Sequence, residues 1–512
     1  MKPRTWMWMT AVYLFAVLAM PVGMVAQDSP SQDHKPKHHQ YKLIDLGTFG
    51  GTNSYVPNFS LVSISSQGGV IVEADTTIPD PYYPNCWQTD CLVNHPGIWQ
   101  DGVLTDVGVL PGVNSAGANW INALGVSVGA SQNGLIDPLT TFPEIRAVVW
   151  KHGQIIDLGT LGGNDSSAQA INNRGDVTGI ALNAILDPFE SSFGPPNYFC
   201  CGATQMHAFL WRDGPMQDLG TLGGPDSMGE FVNERGQVAG VSYTSFTPNQ
   251  NTGIPTQDPF LWDDGTMIDL GTLGGTAGWP WGLNNRGQVT GQSKLSDDVH
   301  FHAFLWSRGV LKDLGTLGGN NSSARWINDA GEVVGRADLY PGLITRHGFL
   351  WKNGVMTDLG VVGSDPCSTA YSINSSEQIV GVSSPCGQSG HGFLWEDGGP
   401  IVDLQTLVLP GSDVTIGETL FINDAGEISG FGTNSNGDLR GLLLIPCDEK
   451  HPGECEDYSM IEVPAQQTSA PTAESSAPAT QRNQSQEETV NPPRNRFGRG
   501  YHLPGQPTAP RE

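Results

Sequence analysis

The chain has 512 residues, with 66 Gly, 36 Pro, 25 Lys plus Arg, 52 Asp plus Glu, a formal net charge of -27 and 38% hydrophobic residues. So much Gly and Pro beside so few cationic and long aliphatic side chains opposes a helical bundle or coiled coil, and the negative charge excludes a nucleic-acid binder, which needs a basic footprint. The length exceeds one simple domain, so several domains or an internal repeat are expected.

At the start of the chain, Lys2 and Arg4 precede an apolar run from Trp6 to Met20, followed by Pro21 and the small-residue end Val25 and Ala26. This pattern predicts a secretory signal peptide over residues 1–26. The run is shorter than the roughly 20 apolar residues of a membrane span. The mature chain is therefore expected to lack a transmembrane anchor and to be secreted or periplasmic. Residues 27–40 read as a flexible leader, and Tyr41 to Leu46 as a strand with the sequence YKLIDL.

One pattern then recurs. Asp-Leu, or once Asp-Val, appears at Asp45, Asp106, Asp157, Asp218, Asp269, Asp313, Asp358 and Asp403, at spacings of 61, 51, 61, 51, 44, 45 and 45 residues. A Trp-x-x-Gly turn precedes each of the last seven, beginning at Trp99, Trp150, Trp211, Trp262, Trp306, Trp351 and Trp395. An apolar-Asn turn such as INNRG or INDAG marks each unit at Asn122, Asn172, Asn233, Asn284, Asn328, Asn374 and Asn423, with Ser65 in the divergent first copy. Asn early and Gly late suit a tight hairpin. Each unit reads as a four-stranded antiparallel meander of about 45 residues, with strands such as EVVGR, HGFLW and VMTDLG.

A meander with two apolar faces needs identical neighbours, which a propeller or a solenoid supplies. The last unit has three strands, and YKLIDLG matches its missing fourth. The fold class expected is all-β: a closed β-propeller spanning 41–447, eight-bladed, with the N-terminal strand completing the last blade. Seven blades with one degenerate unit outside is the alternative. LGTLGG, the Asn turn, the VVG strand and the third-strand motif His207-Ala208-Phe209 or His302-Ala303-Phe304 resemble the bacterial extracellular HAF repeats; HGF at His347 and His391 departs by one residue. The resemblance implies a repeat fold and export, with no shared biochemical activity.

Four residues before the turn Trp, His recurs at His95, His207, His302, His347 and His391, with Arg146, Asp258 and Arg440 at matching places. A ring of metal ligands would need convergence that one position per blade does not provide. These His residues, the repeated Asp and the turn Trp are accordingly expected to fasten strands and pack blades. No metal site and no cofactor is identified; structural calcium in Asp/Asn loops stays open, with no EF-hand spacing to place it.

The units differ chiefly between their second and third strands. From the VVG-type Gly to the next Trp the interval is 21, 32 and 22 residues at Gly129, Gly179 and Gly240, against 15, 16 and 14 at Gly291, Gly335 and Gly381. The first unit is also long there. Repeats 1–4 should raise a crescent on one face, carrying Tyr82, Tyr83, Trp87, Phe189, Phe193, Tyr198, Phe199, Tyr243 and Phe246 as binding candidates for a glycan or an extracellular protein. Small satellite cores under the loops are the competing role for the same aromatics.

Among the Cys residues, disulfides are expected at Cys86 with Cys91, Cys367 with Cys386, and Cys447 with Cys455, the last within a cap over 448–459. Cys200 and Cys201 form either a vicinal bridge or free thiols. Residues 460–512, rich in Pro, Gln, Ser and Thr, read as a disordered tail. The leading function is an exported, monomeric, non-catalytic binding or scaffold propeller. An extracellular polysaccharide hydrolase or lyase and a structural envelope or matrix protein are the alternatives.

Overall fold

The computed structural model describes residues 37–57, 62–189, 204–250, 252–388, 390–456 and 458–462. The expected signal peptide, the leader up to residue 36 and the tail beyond 462 lie outside the described residues, as do Phe193, Tyr198, Phe199, Cys200 and Cys201.

The described chain is all-β, and its one helical element is the short 3-10 turn Leu404–Leu407. Among the described residues no helix is long and apolar enough to cross a membrane. The sixth repeat illustrates the unit. Strands Ser322–Ile327, Val333–Asp338, Arg346–Lys352 and Val355–Gly360 pair in sequence order, all antiparallel. The first turn closes with Gly331 N–H donating to Asn328 O, at 3.0 Å, and Gly331 takes φ +83°. The second places Asn353 and Gly354 at φ 53° and 88°, the two positive values of a hairpin turn whose twist matches its strands.

The recurring VVG motif has a steric cause. The first strand bulges between Ala324 and Trp326, which pushes the Ser323 carbonyl toward the second strand; a Cβ on Gly335 would lie 2.1 Å from that oxygen. A side chain there would break the bulge or the pairing. Phe349, fully buried, packs beneath the same glycine, and its burial contributes about 1.5–3 kcal/mol.

The N-terminal strand Tyr41–Asp45 pairs antiparallel with Leu439–Pro446, so one sheet holds both the beginning of the repeat region and its end. Lys37–His38 also pairs with Ile461–Glu462. Regular pairing therefore extends a few residues past the boundaries at 41 and 459 that composition suggests.

Consecutive units are joined by apolar packing and by hydrogen bonds. Apolar clusters lie between neighbouring sheets, as where Leu305, Leu314 and Ala303 of the fifth meet Ile327, Phe349 and Trp351 of the sixth. A comparable cluster joins Leu443 and Ile445 of the eighth to Val70, Val72 and Trp99 of the first. Each turn Asn also donates from Nδ2 to the carbonyl of the next unit's turn Asn: Asn122 to Asn172, then Asn233, Asn284, Asn328, Asn374 and Asn423. The series continues from Asn423 to Ser65 O at 3.0 Å, and Ile121 N–H donates to Val62 O.

Two residues before these turn positions stand Ser63, Trp120, Ala170, Phe231, Gly282, Trp326, Ser372 and Phe421. Small and large alternate from unit to unit. The aromatics come from the second, fourth, sixth and eighth units, which are not neighbours in sequence, and they meet one another. Ring centroids are 6.3 Å apart for Trp120 and Phe231, 6.1 Å for Trp120 and Trp326, and 5.4 Å for Trp326 and Phe421.

Candidate functional site

The repeated polar residues pair within their own sheets. His95, His207, His302 and His347 place Nδ1 2.7–2.9 Å from Asp106, Asp218, Asp313 and Asp358, and His391 stands 3.4 Å from Asp403. Arg440 takes the same position against Asp45, at 3.4 Å. Each Asp also accepts a backbone N–H two residues on, as Asp218 does from Gly220 and Asp157 from Gly159, both at 2.8 Å. The carboxylate thus holds the third strand and the outgoing turn together. The bond from His207 holds Asp218 below the usual carboxylate range against the opposing effect of burial, and Asp218 in turn raises His207.

Two units depart from the pattern. Arg146 turns to Glu144 in the second, at 3.3 Å. In the fourth, Asp258 faces Asp269, and burial together with that like charge pushes Asp258 up to about 7. The turn residues Trp99, Trp150, Trp211, Trp262, Trp306, Trp351 and Trp395 are all buried. Among the described residues no three His, Cys, Asp or Glu side chains gather as a metal would require.

The long second strands of the first three units, Val70–Pro79, Ser127–Ile136 and Val177–Leu186, run to ten residues and end in exposed positions. Their aromatic neighbours mostly turn inward. Trp87 is buried, with its backbone N–H bonded to Asp80. The Tyr82 hydroxyl donates to Asn114 Oδ1 at 3.0 Å. Phe189 packs edge-on against buried Tyr243, with centroids 5.9 Å apart. Tyr83 and Phe246 alone among the described aromatic candidates are exposed, at 78% and 55%. The extended strands present aliphatics to solvent, Ile78, Leu135, Ile136, Ile185 and Leu186, and Leu139 is exposed in the turn after the second of them.

Under these loops lie buried carboxyl groups. Burial pushes Glu73 up to about 8, although Tyr55 and Trp87 bond to it. Asp165 and Asp226 are each raised to about 7 by burial. Each accepts a backbone N–H from the preceding unit, Asp165 from Ile145 at 2.8 Å and Asp226 from Met206 at 2.9 Å. Burial and the neighbouring Asp90 likewise raise Asp75 to about 7. Asp165 and Asp226 thereby bridge units.

The disulfides Cys86–Cys91, Cys367–Cys386 and Cys447–Cys455 are formed, with Cα separations of 5.2, 5.1 and 5.6 Å. The first ties the loop that carries Trp87. Two features are not foreseen from the repeats, the aromatics that alternate from unit to unit and meet one another, and the exposed aliphatic strand ends. The first was available as a size alternation at one repeat position; the second depends on strand length, which loop spacing does not set.

No protein-family model and no curated protein matches the chain. Solved structures to which it is similar include the β-propeller domain of the Trilobed protease from Pyrococcus furiosus, at 9% identity and a TM-score of 0.40, covering 69% of this chain and 98% of that one. TolB from Acinetobacter baumannii is similar at 10% identity and a TM-score of 0.30, covering 79% and 96%. A gluconolactonase from Xanthomonas campestris is similar at 11% identity and a TM-score of 0.27, covering 81% and 96%. Likenesses this distant assign no activity to the chain.

Proposed function

We propose that the chain is an exported binding propeller that holds a protein partner on the crescent of repeats 1–4 and performs no catalysis. Export rests on the signal-peptide pattern of residues 1–26 and accords with three disulfides. Eight closed blades over 41–447 are supported by the strand Tyr41–Asp45 in the last sheet, by the Asn423 bond to Ser65 and by the axial aromatics. Small and large residues alternate around a ring without a break only when the number of units is even, which favours eight over seven. The cap at 448–459, tied by Cys447–Cys455, and the tail from 460 are appendages of this ring.

The observation that carries the binding role is the set of exposed aliphatic side chains Ile78, Leu135, Ile136, Ile185 and Leu186 on the ten-residue second strands, with Leu139 in the turn that follows the second of them. Exposed apolar side chains gathered on one set of loops suit an association surface. Glycans are held by exposed aromatic faces, and of the six described candidates here only Tyr83 and Phe246 are exposed, so a protein with an apolar surface fits better. The test compares the wild type with Leu135→Asp/Leu186→Asp, each presented to the exported proteins of the source cell and to a glycan array. One purified protein bound by the wild type, and bound at least tenfold more weakly by a folded double variant, is the expected result. Glycan retention unaffected by the substitutions, or turnover of a polysaccharide, would replace this reading.

A further inference from the structure

One unit breaks the rule that the others keep. At the third-strand position beside the repeated Asp, seven of the eight units carry a basic side chain, His95, Arg146, His207, His302, His347, His391 or Arg440, and the fourth carries an acid, Asp258. The backbone register is unchanged by the exchange: Phe260 lies opposite Asp269 as Phe304 lies opposite Asp313 in the fifth unit. From two residues before Phe304, His302 Nδ1 reaches Asp313 Oδ2 at 2.8 Å. Asp258 stands two residues before Phe260, and residues two apart on a strand share a face. Where a basic group stands elsewhere, Asp269 therefore meets a second carboxylate.

The pair is short of a positive partner. Asp258 is 8% exposed, and its Oδ1 is buried without a hydrogen-bond partner. Asp269 is exposed and accepts from Gly271 N–H through Oδ1 at 2.8 Å. Among the described residues neither carboxylate has an ion pair, and the neighbouring charge that acts on Asp258 is the negative one of Asp269. Leaving a buried carboxylate oxygen unmet is costly. With Asp258 pushed up to about 7, a shared proton neutralises one of the two carboxylates and is shed as pH rises past that value. A divalent cation offsets both charges at once.

We propose that Asp258 and Asp269 hold a calcium ion, which takes in the fourth unit the place that His or Arg takes in the others. Carboxylate oxygens without imidazole or thiolate make a hard site, which suits calcium or magnesium over zinc, and calcium accepts irregular geometry where magnesium demands an octahedron. Among the described residues no third His, Cys, Asp or Glu joins the pair. Water then fills the remaining positions, and the affinity is that of extracellular calcium modules, with a dissociation constant on the order of 10⁻⁴–10⁻³ M. Asp258 is the second residue of Gln257–Asp263, where the long loop of the fourth unit returns to the sheet, and Asp269 ends Thr266–Asp269. The ion ties that return to the turn leading into the fifth unit, whatever partner the crescent binds.

Calorimetric titration and thermal unfolding of the full chain test this, slightly above neutral pH, with calcium, with magnesium and with a chelator. Saturable calcium binding that raises the melting temperature is expected, with magnesium at least tenfold weaker. Asp258→Asn and Asp269→Asn keep an oxygen and lose the charge, and each should weaken calcium binding at least tenfold. Asp258→His rebuilds the pair of the other units: in chelator it should melt above the wild type, and calcium should no longer raise its melting temperature. Asp213→Asn, in the hairpin turn of the third unit where Asp213 has φ 52°, should bind calcium as the wild type does. The assignment is overturned if calcium does not bind the folded wild type, if both Asn variants bind it as tightly as the wild type, or if magnesium binds as well as calcium, which marks general screening of an acidic surface. A wild type indifferent to calcium beside a more stable Asp258→His would overturn it too, by showing that the pair shares a proton.

Discussion

In the fifth to seventh units the second strand stops at Leu295, Asp338 and Ser384, and the third begins within about a dozen residues; in the first three it runs on to Pro79, Ile136 and Leu186. The opposite end of the sheets shows no such division, because the Asn turns bond in one series through both groups. Framework and elaboration are thus separated by face. The turn face is held to one geometry by contacts that every unit must repeat. The loop face is free to lengthen, and there the chain accumulates exposed aliphatics, two disulfides and carboxyl groups raised by burial.

The largest expected contrast between framework and crescent is in stability. Phe349→Ala removes a fully buried ring beneath Gly335 and should cost about 3–5 kcal/mol in urea unfolding. Tyr83→Ala, on the crescent, should stay within about 0.5 kcal/mol of the wild type. Equal losses would erase the distinction. Next in size, Asn328→Ala removes the bond to Asn374 O and those to Glu332, and should cost about 1–3 kcal/mol. Asn172→Ala in a long-loop unit should cost the same; a clear difference would show that the turn face is not uniform after all.

The smallest effect is in pH dependence, and it sharpens the contrast. An acid raised in the folded state, such as Asp226 at about 7 or Glu73 at about 8, favours folding while protonated, and that advantage is lost as pH rises from the ordinary carboxyl range through those values. His207, raised above its ordinary 6.5, contributes fully below that value and loses its contribution as pH rises through the folded one. Asp218, lowered from 3.8, contributes above 3.8 and loses it on acidification. The melting temperature should therefore be highest between about pH 4 and 5, where the lowered carboxylates are ionised and the raised ones still protonated, and fall steadily toward pH 8. Asp226→Asn keeps an oxygen for Met206 N–H and should raise the melting temperature at pH 8 more than at pH 5. An equal change at both would remove the role assigned to its proton.

Much of the framework was legible because it repeats. Trp351, Asn353 and Gly354 announce a hairpin by residue type alone, and the constant Trp-to-Asp interval places His347 opposite Asp358. The three expected cysteine pairs also follow from neighbourhood within a unit. The candidate site was legible only as a location. Trp87 and Tyr243 look like recognition residues in a list of loop aromatics, but a loop tied by Cys86–Cys91 and a strand packed on Phe189 fold them inward. Ile185 and Leu186 look like core and are exposed, at the far end of the ten-residue strand Val177–Leu186.

From the sequence alone come the period, the strand order within each unit, the turn chemistry and the pairing of YKLIDLG with the last unit, since all of these depend on residues near in sequence or on matching a repeated pattern. Tertiary structure alone decided which side chains meet across units: Trp120 against Trp326, Asn423 against Ser65, Arg325 against Trp281. Those contacts join residues far apart in the chain. Their chemistry appears only when strand twist and sheet packing bring the units together, and no local periodicity encodes that distance.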